Sequence, residues 1–475
     1  MDGRTLRLGD GVLIETDDPI GLAAGLRALP RPLPADAMRA GRRLTEPPID
    51  AVPGDGTLLV RGSGSLPDVL PHAPVEGREH VIPVVDDGED LGAFGMPTDE
   101  VIARHTAGTY RVAYLGFSPG FAYLDGLDPA LHLPRLDSPR PSVPELSVAV
   151  AGDRTCIYPT SSPGGWRLLG RAVGITPFRA DADPPALFAP GDTVRFIAVR
   201  DRVATTPTAP APAVVTDGVP ALDGGTQTIV VHRPRTGYAH LGVPWSGPLD
   251  PRCWYRANQL AGNDVETPAL EAVFRGPHLD LRGRKAAIVW PGGEEVVDTG
   301  DLRTLPAWRC WIAIEGGIDG PLVLGSCTSD LLGGLGRPPL RAGDVLPMGG
   351  QTHVRFILFD SVPAASDEVV LALEPGPDAH LLERAFGTWT VDPRSDRSAL
   401  RLAGDARPHA AATRTVGLVP GAVQLPPNGR PVVFLAGHPT TGGYPLVGCV
   451  SDPRALWHAA QLRPGRELTL ALDVS

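Results

Sequence analysis

The sequence predicts an α+β protein built mostly from antiparallel β-sheet. Three observations carry this. Glycine and proline are frequent, 57 and 53 of 475 residues, and they lie between Val/Leu/Ile runs, as in turn-rich sheet. Helical patterns are few and short. One arrangement also occurs twice. Gly164-Gly165-Trp166-Arg167-Leu168-Leu169-Gly170 and Gly442-Gly443-Tyr444-Pro445-Leu446-Val447-Gly448 both read Gly-Gly-aromatic-x-Leu-aliphatic-Gly. Each follows a small polar pair (Ser161-Ser162, Thr440-Thr441) and a Val-Pro start upstream (Val143-Pro144, Val419-Pro420). Each precedes a Pro-Gly turn (Pro190-Gly191, Pro464-Gly465) that opens a last strand. A shared order of strands and turns implies one β module used in both halves.

Residues 6–15 read as a strand, and 20–29 as a short amphipathic helix after the capping pair Asp17-Asp18. Strands follow at 57–61 and 80–85. A helix begins at Thr98, where a cap is followed by Glu100 and an apolar stripe. Residues 110–115 form a strand by their aromatic and β-branched content. From there to Phe196, strands alternate with Pro/Gly turns. Residues 203–214 are a solvated Thr/Pro/Ala linker. The second half opens with a strand at 226–232 and a capped helix at 251–260, then strands to about 359. A composition break at 362–367 precedes a last block with helices at 379–386 and 454–461. The expected domains are a small α/β subdomain over 1–100, a β domain over 101–202, the linker 203–214, a β domain over 215–361 and another over 362–475.

The formal charge of −11, with no basic block, argues against a nucleic-acid binder. Five scattered cysteines, none in a CxxC pair, indicate neither a disulfide framework nor a metal site. No signal pattern and no apolar run of spanning length appears, so a soluble cytoplasmic protein without a membrane partner is expected. Walker-A, HExxH, GxSxG and kinase motifs are absent, and so is a biotin-attachment lysine: Ala37-Met38-Arg39 lacks it.

Chemistry is therefore expected in less generic loops. The strand 110–115 leads into Gly116-Phe117-Ser118-Pro119-Gly120-Phe121-Ala122-Tyr123-Leu124, whose Gly116, Pro119, Gly120 and Phe121 fix an unusual path with N–H groups free to face a ligand. Arg135 and Arg140, each Pro-anchored, suit carboxylate or phosphate recognition. His105 lies just ahead of the strand. Ser162, Gly164, Gly165 and Trp166 form the first Gly-Gly loop. In the second half, Ser246, Asp250, Asn258 and Glu271 offer polar groups, which also suit helix capping and backbone pinning. The sharpest set is His438, Thr440, Thr441, Gly442, Gly443 and Tyr444, with hydroxyls, an imidazole and a phenol around a Gly-Gly backbone. His105, Asp250, His438 and Tyr444 are the candidate catalytic residues, and the others candidate substrate-binding residues.

The 112–124 run, the Pro-Arg pairs and Ser162-Pro163-Gly164-Gly165-Trp166 resemble the allophanate-hydrolase subunit 1 family, which includes the B-type subunits of 5-oxoprolinase and the Kip-type inhibitors. The second half resembles the allophanate-hydrolase subunit 2 family, to which the C-type subunits of 5-oxoprolinase belong. It does so through Gly242-Val243-Pro244, Ser246-Gly247, Asp250, Ala257-Asn258, Gly262-Asn263, Leu270-Glu271, Gly316-Gly317-Ile318, Leu324-Gly325-Ser326 and the Thr-Thr-Gly-Gly-Tyr-Pro loop. The resemblance implies cyclophilin-like barrels in both halves. It also implies a fused B–C subunit that opens 5-oxo-L-proline to L-glutamate with ATP, the nucleotide held with Mg through a separate partner of the A type. Two alternatives stay open. One is a carboxyltransferase acting on urea or a related amide, with biotin on another protein. The other is a catalytically silent regulator like the kinase-inhibitor members. A homo-oligomer is compatible with each. Departures from the pattern are Val231-His232 for Gln-Asp, Gly437 for Asp, and Ala399 for Gly in Ser395-Asp396-Arg397-Ser398-Ala399.

Overall fold

The computed structural model describes residues 5–8, 10–28, 50–61, 73, 75–136, 140–200, 218–350, 361–364, 366, 368–409 and 414–473. The expected linker at 203–214 and the Ser138-Pro139 pair ahead of Arg140 lie outside these residues. The N-terminal part is a four-stranded antiparallel sheet in the order Thr5–Leu8, Gly11–Glu15, Thr57–Arg61, Asp50–Pro53. Residues 6–15 are thus a hairpin, turned at Asp10, rather than one strand. Helix Pro19–Ala28 covers this sheet, packing Leu22, Ala23 and Leu26 on Ala51, Leu58 and Val60.

Two closed seven-stranded barrels follow the same plan. Around the first, neighbouring strands are Arg154–Ile157, Ala122–Asp125, Tyr110–Leu115, Thr193–Ala198, Glu79–Val85, Arg167–Ala172 and Ser147–Ala151. Around the second they are Val432–Phe434, Ala399–Ala403, Gly387–Val391, Glu467–Leu472, Val370–Pro375, Leu446–Val450 and Ala422–Gln424. The orders correspond strand for strand, including one parallel pair in each: Glu79–Val85 with Thr193–Ala198, and Val370–Pro375 with Glu467–Leu472. Outside each barrel the Gly-Gly motif sits beside a two-stranded ribbon, Arg140–Val143 with Ser162–Gly164 and Val416–Gly417 with Thr441–Gly442. The duplication read from the sequence is therefore a duplication of topology.

One expected boundary needs correction. Strand Glu79–Val85 closes the first barrel, so that barrel begins before residue 101. Its parallel partner lies far along the chain, and such pairing leaves no local mark in composition. Between the barrels, a five-stranded sheet runs Gln227–Val231, Ala269–Arg275, Thr304–Ile314, Ala286–Trp290, Gly293–Val297. Helix Pro251–Leu260 lies on it, with Asp250 accepting from Arg252 N–H as N-cap and Pro251 at the first helical position. Trp254 and Trp311 share one continuous core with Leu371, Trp389 and Val433, which joins this sheet to the second barrel. The helix expected at 379–386 is the 3₁₀ helix Ala379–Arg384, and that at 454–461 is Pro453–Ala459. Among the described residues no helix is long and apolar enough to cross a membrane.

Candidate active site between the two barrels

The loop after strand Tyr110–Leu115 is closed by its own backbone. Gly116 N–H donates to Phe121 O at 3.1 Å, and Ser118 N–H to Gly116 O at 2.7 Å. Phe117 and Gly120 take the left-handed conformation, φ 63° and 77°. The strain at Phe117 turns its N–H outward, where it donates to Thr441 Oγ1 of the second half at 2.8 Å. Gly120 N–H donates to Leu241 O at 2.9 Å. A Cβ at Gly116 would lie 2.2 Å from Thr441 Oγ1, so glycine is what lets the halves meet here.

Beside this contact stands Arg135. Its guanidinium lies 5.8 Å from the Trp166 ring and 5.9 Å from the Tyr444 ring. These are the aromatic residues of the two Gly-Gly motifs. A Cβ at Gly443 would lie 2.9 Å from Arg135 Nη2. The rings contribute cation–π attraction of about 1 kcal/mol each. Among the described residues Arg135 has no hydrogen bond and no carboxylate partner. Tyr123, Tyr158 and Phe121 pack behind it with Trp166. Burial raises the Tyr123 phenol above its ordinary range, against the pull of Arg135 and a hydrogen bond to Thr441. The arrangement is a half-buried cation in an aromatic frame, edged by a hydroxyl and by loop backbone.

The other expected residues are distributed as follows. Arg140 is committed: it forks onto Asp90 at 3.0 and 2.8 Å and donates to Trp166 O at 3.1 Å, so it positions the first Gly-Gly loop. Gly165 O accepts from Leu136 N–H at 2.7 Å, which ties that loop to the Arg135 segment. Gly164 lies against the Tyr158 hydroxyl, and Ser162 Oγ is buried with no partner among the described residues. Pro119 packs against Gly333. Gln424 donates to Tyr444 O at 2.9 Å and fills the space a Gly442 side chain would need.

His105 is not brought into this group. Its Nε2 lies 3.2 Å from Thr155 Oγ1 and its ring stacks on Phe196 at 4.6 Å. Thr155 and Cys156 are successive residues of one strand, so their side chains face opposite sides; Cys156 packs with the Tyr158–Trp166 cluster. His105 therefore lies across the barrel wall, where burial holds its pKa at about 3. His438 is buried under the second loop, with Nδ1 2.7 Å from Pro439 O. Burial and nearby Arg61 lower its pKa to about 4. Thr440 is buried too, its carbonyl accepting from Leu418 N–H at 2.9 Å.

The four second-half candidates are tied into the scaffold. Asp250 caps its helix and pairs with Arg252 at 2.8 Å. Asn258 donates to Thr267 O at 2.7 Å and accepts from Asn263 at 3.1 Å. Glu271 accepts from Leu249 N–H and Arg309, each at 3.0 Å. Ser246, at φ 54°, donates to buried Asp330 at 3.3 Å. His232, which replaces an expected acidic residue, accepts from Cys327 N–H at 3.2 Å and is held neutral by burial, its pKa lowered to about 4.

Sequence reasoning missed Tyr158, which packs with Phe121 and Trp166 directly after the strand Arg154–Ile157, and Asp50. Asp50 accepts from Gly237 N–H at 2.9 Å, from Ala239 N–H at 3.0 Å and from Trp245 Nε1. It thereby fixes the segment whose Leu241 O receives Gly120. Tyr158 could have been found from its place two residues past Cys156 in an alternating strand; Asp50 carries no local signal.

Residues 66–188 match the family described as carboxyltransferase domain, subdomain C and D, and residues 241–308 and 294–472 match carboxyltransferase domain, subdomain A and B. The chain is 32% identical to the 5-oxoprolinase C subunit of Escherichia coli over 52% of its own length and 88% of that protein. It is 45% identical to the 5-oxoprolinase B subunit of Bacillus subtilis over 29% of its length and 60% of that protein. A solved structure, that of TTHA0988, is 34% identical and covers 99% of this chain and 100% of its own, with a TM-score of 0.77.

Proposed function

The chain belongs to the carboxyltransferase-domain family that includes the B and C subunits of 5-oxoprolinase, and from that premise we propose that it is a fused B–C subunit of an ATP-dependent 5-oxoprolinase. In this reading it opens 5-oxo-L-proline to L-glutamate with a separate partner of the A type. The observation that carries the reading is Arg135. A guanidinium held between two rings, with no carboxylate partner among the described residues, suits the α-carboxylate of a small lactam. Urea has no anionic group to offer it, which favours the lactam over a urea carboxyltransferase.

With the carboxylate on Arg135, the apolar ring edge of 5-oxoproline would lie against Trp166 and Tyr444. Its amide would then reach the Thr441 hydroxyl, the polar group that edges the frame; the N–H groups of Gly116, Phe117, Ser118, Gly120 and Phe121 are all committed within the fold, so the expectation that they face a ligand does not hold. Water adds to the carbonyl carbon, the C–N bond breaks, and the nitrogen takes up a proton and leaves as the amine of glutamate; ATP, cleaved to ADP and phosphate, would supply the activation that this stable amide needs. Among the described residues no cluster of acidic, His or Cys side chains is placed to hold a metal. We assign ATP to the partner.

The test is glutamate release from 5-oxoproline and ATP, with and without the A-type partner. Partner-dependent release is expected, and Arg135→Gln should raise KM at least ten-fold with a smaller change in kcat and unchanged folding. Release that is indifferent to Arg135→Gln would remove the carboxylate anchor. No release from a folded complex with a competent partner would move the assignment to another amide or to a regulatory role.

A further inference from the structure

The duplication places a second loop where the first barrel has its site loop. In the second barrel, the connection between Gly387–Val391 and Ala399–Ala403 is residues 392–398, the counterpart of 116–121. This loop lines a cavity of about 370 Å³ against the middle sheet, and Arg135 is not among the residues that line it. Arg309 and Arg397 line the cavity from its buried side, Phe274 and Trp308 from its mouth, and Asp396 from the loop.

Among the described residues, three arginines, Arg235, Arg309 and Arg397, are buried here with two buried carboxylates, Glu271 and Asp330; the third carboxylate, Asp396, acts on Arg309 from the surface. Glu271 is taken by Arg309 Nη1 and Leu249 N–H, and Arg397 Nε stands 3.7 Å away without a hydrogen bond. Burial raises the Asp330 carboxyl, which weakens it further as a counter-charge. Asp396 is exposed, and its Oδ1 accepts from Ser398 and Ala399 N–H. Among the described residues Arg397 thus keeps a buried Nε without a hydrogen bond, while its Nη2 donates to Gly247 O, and an anion in the cavity would complete the set.

The mouth adds a second, independent sign. Phe274 has φ 65° at a bulge between Val273 and Arg275, and its side chain is 63% exposed. A non-glycine residue in this conformation is strained. Bulges re-aim side chains, and here the ring is turned out of the sheet to stand 5.5 Å from Trp308.

We propose that this cavity is a second ligand site, distinct from the one at Arg135, which takes a small carboxylate with a flat apolar body. The carboxylate meets Arg397 and Arg309, and the flat body lies against Phe274 and Trp308. Benzoate is the probe, benzamide its neutral isostere, and titration calorimetry on the full chain the measurement. Benzoate should bind and benzamide should bind at least ten-fold more weakly. Trp308→Ala should weaken benzoate several-fold, Arg397→Gln at least ten-fold, and Arg135→Gln should leave it unchanged. Equal binding of the two probes, no binding of benzoate, or a loss caused by Arg135→Gln instead overturns the proposal. Trp308→Ala, at the partly exposed rim, decides the matter if Arg397→Gln does not fold, and unchanged affinity in it also counts against the site.

Discussion

Arg135 and Arg140 lie five residues apart and have the same Pro-anchored setting in the sequence, yet the fold gives them opposite roles. Arg140 has every reason to stay where it is, with Asp90 and the Trp166 carbonyl as partners; Arg135 has rings but, among the described residues, no counter-charge. The histidines make a similar point. His105 is buried and uncharged, so it titrates as part of folding rather than of chemistry. Its folded pKa of about 3 lies below the unfolded value of about 6.5. Between those values the unfolded chain binds the extra proton, so its contribution is fully present above pH 6.5 and is lost as pH falls. Relative to His105→Gln, wild-type protein should lose on the order of 1 kcal/mol per pH unit on acidification from pH 6.5 to 4. Urea unfolding of both proteins across that range measures the difference. A gap that does not change with pH would mean the imidazole is charged in the folded state. The comparison with the variant matters because Asp86, raised to about 6 by burial, pulls the absolute curve the other way.

At the scale of elements, the decisive feature is a contact between two loops from opposite ends of the chain. Gly116 and Thr441 approach so closely that a methyl group at 116 would push the second-half loop away, together with the Phe117 N–H bond. Gly116→Ala should therefore lower activity and stability together. The same change should cost much less in a Thr441→Gly background, because the obstructing side chain is gone. A double-mutant cycle read by thermal unfolding and turnover should show coupling of about 1 kcal/mol or more; strict additivity would mean the loops part freely. The sequence made both loops legible, because backbone approach demands glycine and glycine is visible. It also made the repeated module legible, since each copy needs the same Gly-Gly-aromatic path. It did not show that Trp166 and Tyr444 flank one arginine, nor that Glu79–Val85 closes the first barrel. Both depend on pairing across long stretches of chain. Ser246, Asp250, Asn258 and Glu271 looked chemical for a related reason: buried polar residues that pin backbone share residue types with those that bind ligands.

The whole molecule is held together by the small N-terminal sheet as well as by the barrels. Asp50 on its edge strand is buried and reaches the segment 237–245 through Gly237, Ala239 and Trp245, while Arg61 on the neighbouring strand stacks on Trp245 at 3.5 Å and pairs with Asp10. That segment leads to Leu241, whose carbonyl takes Gly120 of the site loop. The N-terminal sheet therefore supports the site through this segment, and also packs Leu59 on Gly417, whose strand pairs with Thr441. Asp50→Ala would leave three buried donors unmatched, at about 1–3 kcal/mol each where water cannot replace the lost acceptor. The loss should spread along the connected segments rather than through the barrel cores. Hydrogen exchange should show faster opening at 237–247 and at 116–121, with the strand Thr193–Ala198 and the strand Glu467–Leu472 little changed, and turnover should fall although Asp50 meets no substrate. Faster exchange at 237–247 alone, with the site loop and turnover intact, would show that the two segments move independently and that the support ends at Leu241.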